Sequence, residues 1–162
     1  MKISKMKGTA VVLIFILMLV GWSTFRGKMY DIDHSEVSQV LETFSHDIKS
    51  PTKVPFKDLQ LWEYKKESDN QTVITLMNVN KSTLDIRVSK DKIDFNKNIK
   101  KEHVTLNGDL EGVYFPDSSG KRILVWQDHS IYYEITYYPK LTLQEVSKQQ
   151  LIRMAESFRL EK

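Results

Sequence analysis

The chain of 162 residues contains no cysteine. That absence removes disulfides, thiol nucleophiles, redox pairs and cysteine-zinc sites, so any domain it forms is held by packing and backbone pairing alone. Glycine and proline are scarce, at six and four residues, and neither a glycine-rich phosphate loop nor a G-x-S-x-G nucleophile turn occurs. The four histidines, His34, His46, His103 and His129, lack the H-E-x-x-H spacing that sets two ligands on one helical face. His46 and Asp47 are neighbours, and successive helical residues point about 100° apart, so they make no ready ligand pair. Asp85, Asp91 and Asp94 lack the central glycine and terminal glutamate of a calcium loop, and Lys90, Lys92 and Lys97 are interleaved with them. The residues therefore predict no enzyme, no metal and no cofactor.

Acid is missing altogether from residues 1–28, which hold five lysines and arginines. The formal net charge of +3 belongs to that segment, because residues 29–162 carry 19 basic and 21 acidic side chains. A slightly acidic domain lacks the basic footprint of a nucleic-acid binder. Lysine outnumbers arginine 19 to 5, and with the missing cysteine this suits the surface of a Gram-positive bacterium.

What the first segment does contain is a membrane signal. Lys2, Lys5 and Lys7 lead into an uncharged apolar run over 8–25, closed by Arg26 and Lys28. At about 1.5 Å per residue a helix over that run reaches roughly 27 Å, enough to cross a thin bilayer. The flanking charges leave residues 1–7 in the cytoplasm and the domain outside, and Trp22 and Phe25 suit an interfacial aromatic belt. The run predicts a transmembrane signal anchor over 8–25, a juxtamembrane linker over 26–33 and an extracytoplasmic domain over 34–162. The competing reading is a signal peptide cut after Ser23, with an 11-residue core over 10–20 and a secreted domain as the product.

Beyond the linker, Val37, Val40, Leu41, Phe44 and Ile48 recur at three- and four-residue steps, predicting an amphipathic helix over 34–49 that ends at Ser50-Pro51. The period then switches to two. Strands are predicted around 59–64, over 73–79 and through Leu84, Ile86 and Val88, with a lysine-rich excursion over 90–101. A second β run follows: 104–106, a turn at Asn107-Gly108-Asp109, then 111–115, 122–127 and the aromatic strand 131–138, in an antiparallel meander. Thr142 and Glu145 form a T-x-x-E capping box for a last helix, with Leu151, Met154, Ala155 and Phe158 on one face. The predicted fold is α+β: a transmembrane helix, then an antiparallel sheet of about six to seven strands packed by an N-terminal and a C-terminal amphipathic helix.

Residues 104–158 resemble a family of Gram-positive bacterial extracytoplasmic domains of unknown function, found in membrane proteins and lipoproteins and sometimes appended to anti-sigma-factor-like proteins. The residues that carry the resemblance are Leu106-Asn107-Gly108, Glu111-Gly112-Val113-Tyr114, Leu124-Val125-Trp126, Tyr132-Tyr133, then 143–145 with Ile152 and Ala155 to Phe158. The resemblance implies a sheet-and-helix fold outside the membrane and no known catalysis. The chain differs from larger members in having only seven residues before the apolar run, so direct sigma-factor binding is not implied.

Tyr132, Tyr133, Tyr137 and Tyr138, with Trp126, are the one concentration of residue types that anchor interfaces and stack on sugars. Along a strand Tyr132 and Tyr138 share one face and Tyr133 and Tyr137 the other; one pair is expected in the core and the other on the sheet's second face. The expected function is a non-enzymatic, membrane-anchored accessory domain that binds a membrane or envelope protein or another envelope component, its anchor seated in the lipid bilayer. A carrier or sensor of a lipid or other hydrophobic ligand is the alternative. Fractionation of native cells carrying a C-terminally tagged chain tests the anchor: full-length protein in the membrane, degraded by external protease on wall-stripped cells, is the expected outcome, and a shortened soluble form overturns it.

Overall fold

The computed structural model describes residues 27–33, 35–44, 48–94, 99–142 and 144–160. The predicted anchor over 8–25 and the cytoplasmic tip lie outside the described residues, as do His34, His46 and Asp47. Among the described residues no helix is long and apolar enough to cross a membrane.

The described residues form eleven strands and two helices in the order β1 (Tyr30–Asp31), α1 (Ser35–Glu42), β2 (Ser50–Pro51), β3 (Lys53–Val54), β4 (Gln60–Ser68), β5 (Gln71–Met77), β6 (Thr83–Ser89), β7 (Glu102–Thr105), β8 (Glu111–Phe115), β9 (Arg122–Asp128), β10 (Ile131–Tyr137), α2 (Lys148–Ala155) and β11 (Phe158–Arg159). Seven of them form one antiparallel sheet ordered β4-β5-β6-β10-β9-β8-β7. Two meanders are thus fused at their last strands: β4 to β6 run in one direction across the sheet, and β7 to β10 return toward them. The connection from β6 to β7 spans the second meander, which is why it is long. An α+β domain with an antiparallel sheet within the predicted six to seven strands and with two helices is present among the described residues; the transmembrane helix of that prediction lies outside them.

Strict alternation produces the sheet. In β6 the residues Leu84, Ile86 and Val88 are fully buried while Asp85 and Arg87 point the other way, and in β5 Ile74 and Leu76 repeat the pattern. β10 places Tyr133, Ile135 and Tyr137 directly opposite Val88, Ile86 and Leu84. These side chains make the inner face, and burying each large apolar group contributes about 1.5–3 kcal/mol. Val37 and Leu41 of α1 and Leu151 and Met154 of α2 join the same core, so both helices lie on one side. A three-ring cluster closes that layer: Trp126 stacks on Tyr133 with centroids 5.2 Å apart, and Phe158 meets both rings edge-on at 5.0 and 5.5 Å.

Both helices are shorter than their sequence patterns. α1 ends at Glu42, where Phe44 N–H bonds Leu41 O at 2.9 Å and the Thr43 hydroxyl turns back to Val40 O. Downstream, Ser50-Pro51 pairs with Phe158-Arg159 of β11, which holds that segment extended. The cap of the last helix also sits later than the T-x-x-E pattern places it. Ser147 and Gln150 form the capping box, because residues 144–146 are held by the sheet: the Tyr137 hydroxyl donates to Gln144 O at 2.7 Å, and Arg122 donates to Val146 O and to Glu145, each at 2.7 Å. Residues 27–33, expected as a linker, are built into the domain. β1 pairs with β3, Gln150 donates to Lys28 O at 3.0 Å and Arg153 to Gly27 O at 2.9 Å. Gly27 has φ +65°, and a Cβ there would fall 2.4 Å from the Gln150 side chain, so a side chain at this crossing would strain the backbone and displace Gln150.

The caps make a comparison. Ser147→Ala is expected to cost about 1 kcal/mol in urea unfolding, whereas Thr142→Val, at a buried hydroxyl with no hydrogen-bond partner among the described residues, is expected to be neutral or stabilising.

Candidate functional site

The outer face of the sheet carries side chains that an ordinary solvent-facing surface does not. Its middle is occupied by Glu134 and Thr136 of β10, only 5% and 3% exposed. Arg87 stands opposite Glu134 in the β6–β10 register, and its Nη1 donates to Glu134 Oε2 at 3.1 Å. The Thr136 hydroxyl donates to Glu134 Oε1 at 2.7 Å. One step along, Asp85 accepts from the Thr75 hydroxyl at 2.8 Å and from the Tyr138 hydroxyl. Both carboxylates are thus shared between two donors, which is how a buried charge stays tolerable. Arg87 Nε is buried without a hydrogen-bond partner among the described residues.

A turn folds over this network. After β8, Gly120 (φ +80°) donates to the Asp117 carboxylate at 2.7 Å, closing the loop so that Ser118, Ser119 and Lys121 reach across Asp85, Arg87, Glu134, Thr136 and Tyr138 around a polar hollow of about 210 Å³. Lys121 Nζ lies 5.1 Å from the centroid of the Tyr138 ring. Burial is the main cause that holds the Tyr138 hydroxyl well above the ordinary tyrosine range, and its hydrogen bond to Asp85 adds to it.

Beside it on the same face is a second, less polar hollow of about 440 Å³. Its floor is Val113, Phe115 and Val125, Tyr132 stands at one side, and Lys92, Lys101, His103, Asp94 and Glu111 line it as well. Val113 and Val125 are paired across β8 and β9 and half-buried, with no helix above them among the described residues.

Of the five aromatic residues that the sequence singled out, only Tyr132 and Tyr138 reach this face. Tyr133 and Tyr137 are 2% and 1% exposed in the core, and Trp126, 4% exposed, packs against Tyr133 and Phe158, so these three serve packing rather than a binding surface. Their surroundings agree: burial pushes the Tyr133 hydroxyl up to about 12 while it accepts from Lys49 N–H at 3.1 Å. The Arg87–Glu134 pair escaped the sequence reading, although an arginine and a glutamate in the middle of two apolar strands was the available signal. Among the histidines, His103 is exposed on β7, and His129 (φ +55°) sits in the two-residue turn between β9 and β10 with Nδ1 2.7 Å from the Asp128 carboxylate. Asp128 also takes the Lys49 ammonium. Burial works to raise the Asp128 carboxyl, but the hydrogen bonds from Lys49 and His129 outweigh it and hold the group below the usual carboxylate value. Among the described residues no three metal-ligating side chains converge. No family model, no curated protein and no solved structure matches the chain.

The buried pair yields a double-mutant cycle. Arg87→Met leaves Glu134 buried without its cation and is expected to destabilise by about 3 kcal/mol, whereas Arg87→Met with Glu134→Leu recovers most of that loss; urea unfolding of the single and double variants measures both.

Proposed function

We propose that the chain is a non-enzymatic, membrane-anchored extracytoplasmic domain of the bacterial envelope, and that it binds a protein partner or another envelope component through the outer face of its sheet. The observation that carries the reading is the hollow beside Tyr132: an apolar floor of Val113, Phe115 and Val125 on a sheet face that neither helix covers. Apolar floors rimmed by charge are the usual anatomy of a recognition patch. The polar network next to it supports the same reading. Because Arg87 is already paired with Glu134, Glu134 is also held by Thr136, and Asp85 is held by Thr75 and Tyr138, the charges of this face are fixed before anything docks there, which lowers the ordering cost of binding. The apolar run over 8–25 supports the anchor, and the domain's slight negative charge argues against nucleic acid as the partner.

A carrier or sensor of a hydrophobic ligand is the second reading, and it rests on the same apolar floor. It draws nothing from the inner side of the sheet, where Phe56, Leu41, Tyr137 and Met154 are at most 1% exposed and fill the layer between sheet and helices.

A photoreactive benzophenone residue at position 132, in the full chain in its native membranes, separates the two. A discrete crosslinked species of protein or glycan, reduced at least about fivefold when Val113 and Val125 are changed to aspartate, is the expected result. Crosslinks to lipid alone move the second reading ahead, and no crosslink from position 132 overturns the outer face as the binding surface. Tyr132→Ala is expected to change stability by no more than about 1 kcal/mol.

A further inference from the structure

The two edges of the seven-stranded sheet are finished differently. β7 is four residues long, and its Glu102 is tied to Lys148 of α2 at 2.7 Å. β4 is nine residues long, the longest strand of the sheet, pairs only with β5 among the described residues, and keeps Trp62 and Tyr64 at 67% and 57% exposure. An open edge of this kind is a template for another strand. Register irregularities after Leu61 and after Lys66 break the ladder with β5, and the regular stretch between them is Glu63-Tyr64-Lys65-Lys66. Within it Lys66 pairs with Asp69 at 2.7 Å, whereas Glu63 and Lys65 have no ion-pair partner among the described residues.

We propose that β4 pairs antiparallel with β4 of a second copy of this chain, with Tyr64 facing its counterpart. Parity and charge select that occupant and that register. The N–H and C=O groups of successive residues point to opposite edges of a strand, so residues facing each other across two identical antiparallel strands share the same parity, and the two-fold axis passes between a residue and itself. Centring on Glu63, Lys65 or Lys66 sets like charges face to face, at a cost. Centring on Tyr64 brings Glu63 opposite the second copy's Lys65 and Lys65 opposite its Glu63, forming two ion pairs from two side chains that have no ion-pair partner among the described residues. The two tyrosines meet on the inner side, beside the α1 residues Glu36, Gln39 and Val40 that line a hollow with Tyr64. The irregularities at both ends confine the ladder to a few residues, and a two-fold pair uses up both open edges, so the assembly closes as a dimer instead of growing.

The missing cysteines make the register directly readable in the full-length chain in membranes. Facing Cα atoms in an antiparallel pair lie about 4.5 or 5.5 Å apart, inside the range a disulfide spans. Tyr64→Cys is therefore expected to oxidise to a covalent homodimer. Lys65→Cys is expected to do so only when co-expressed with Glu63→Cys, and Val79→Cys, 89% exposed in a turn, stays monomeric. Glu63→Lys alone is expected to weaken dimerisation about tenfold, and Glu63→Lys with Lys65→Glu to restore it. Tyr64→Cys joined to a different protein, equal crosslinking at positions 64, 65 and 79, or no dimer at all overturns the proposal, and none of these outcomes bears on the outer face around Tyr132.

Discussion

The register between β6 and β10 is the constraint on which the rest of the molecule depends. Among the described residues it is the only seam of strand pairing that joins the two meanders, and it is specified from both sides of the sheet. On the inner side it sets Val88, Ile86 and Leu84 against Tyr133, Ile135 and Tyr137; on the outer side it sets Arg87 against Glu134. A slip of one residue turns every side chain of β10 over, exposing two tyrosines and two isoleucines and driving a carboxylate into the aromatic core. The apolar and ionic patterns therefore select the same alignment, and the ion pair contributes specificity where its net stability is small.

From that seam outward the architecture follows. Tyr133 supplies the floor on which Trp126 stacks, and Phe158 closes over both rings. Phe158 is positioned by its pairing with Pro51, and Ser157 bonds Thr52 and Lys53, so the segment after α1 and the segment after α2 are laced together over the core. Residues 27–33 dock on α2 through Gln150 and Arg153. The described chain thus enters the domain beside its last helix. All of this covering falls on one side, which leaves the outer face to carry its own polar network and the hollow beside Tyr132.

Much of the element pattern was legible in the residues. Alternation at Leu84, Ile86 and Val88, the Asn107-Gly108 turn and the aromatic strand before Pro139 each depend on local rules of period and turn chemistry, and each appears where the pattern puts it. The helix boundaries were not legible, because they are decided by distant partners. A T-x-x-E box at Thr142 is locally as good as an S-x-x-Q box at Ser147, and Arg122 and Tyr137, supplied by β9 and β10, draw residues 144–146 out of the helix. The candidate site was legible only in part. Periodicity divided the tyrosines into two faces, but which face the helices cover depends on how two meanders and two helices assemble.

By itself the sequence determined the class of elements, the alternating faces of each strand and the absence of thiol chemistry, since these follow from covalent composition and from side-chain periods along one segment. Tertiary structure alone decided that β10 closes on β6, that Glu134 is buried against Arg87, and that β4 is left as the open edge. Those are outcomes of which strands become neighbours. That choice is made by burial and pairing summed over segments far apart in the chain, which no single segment encodes.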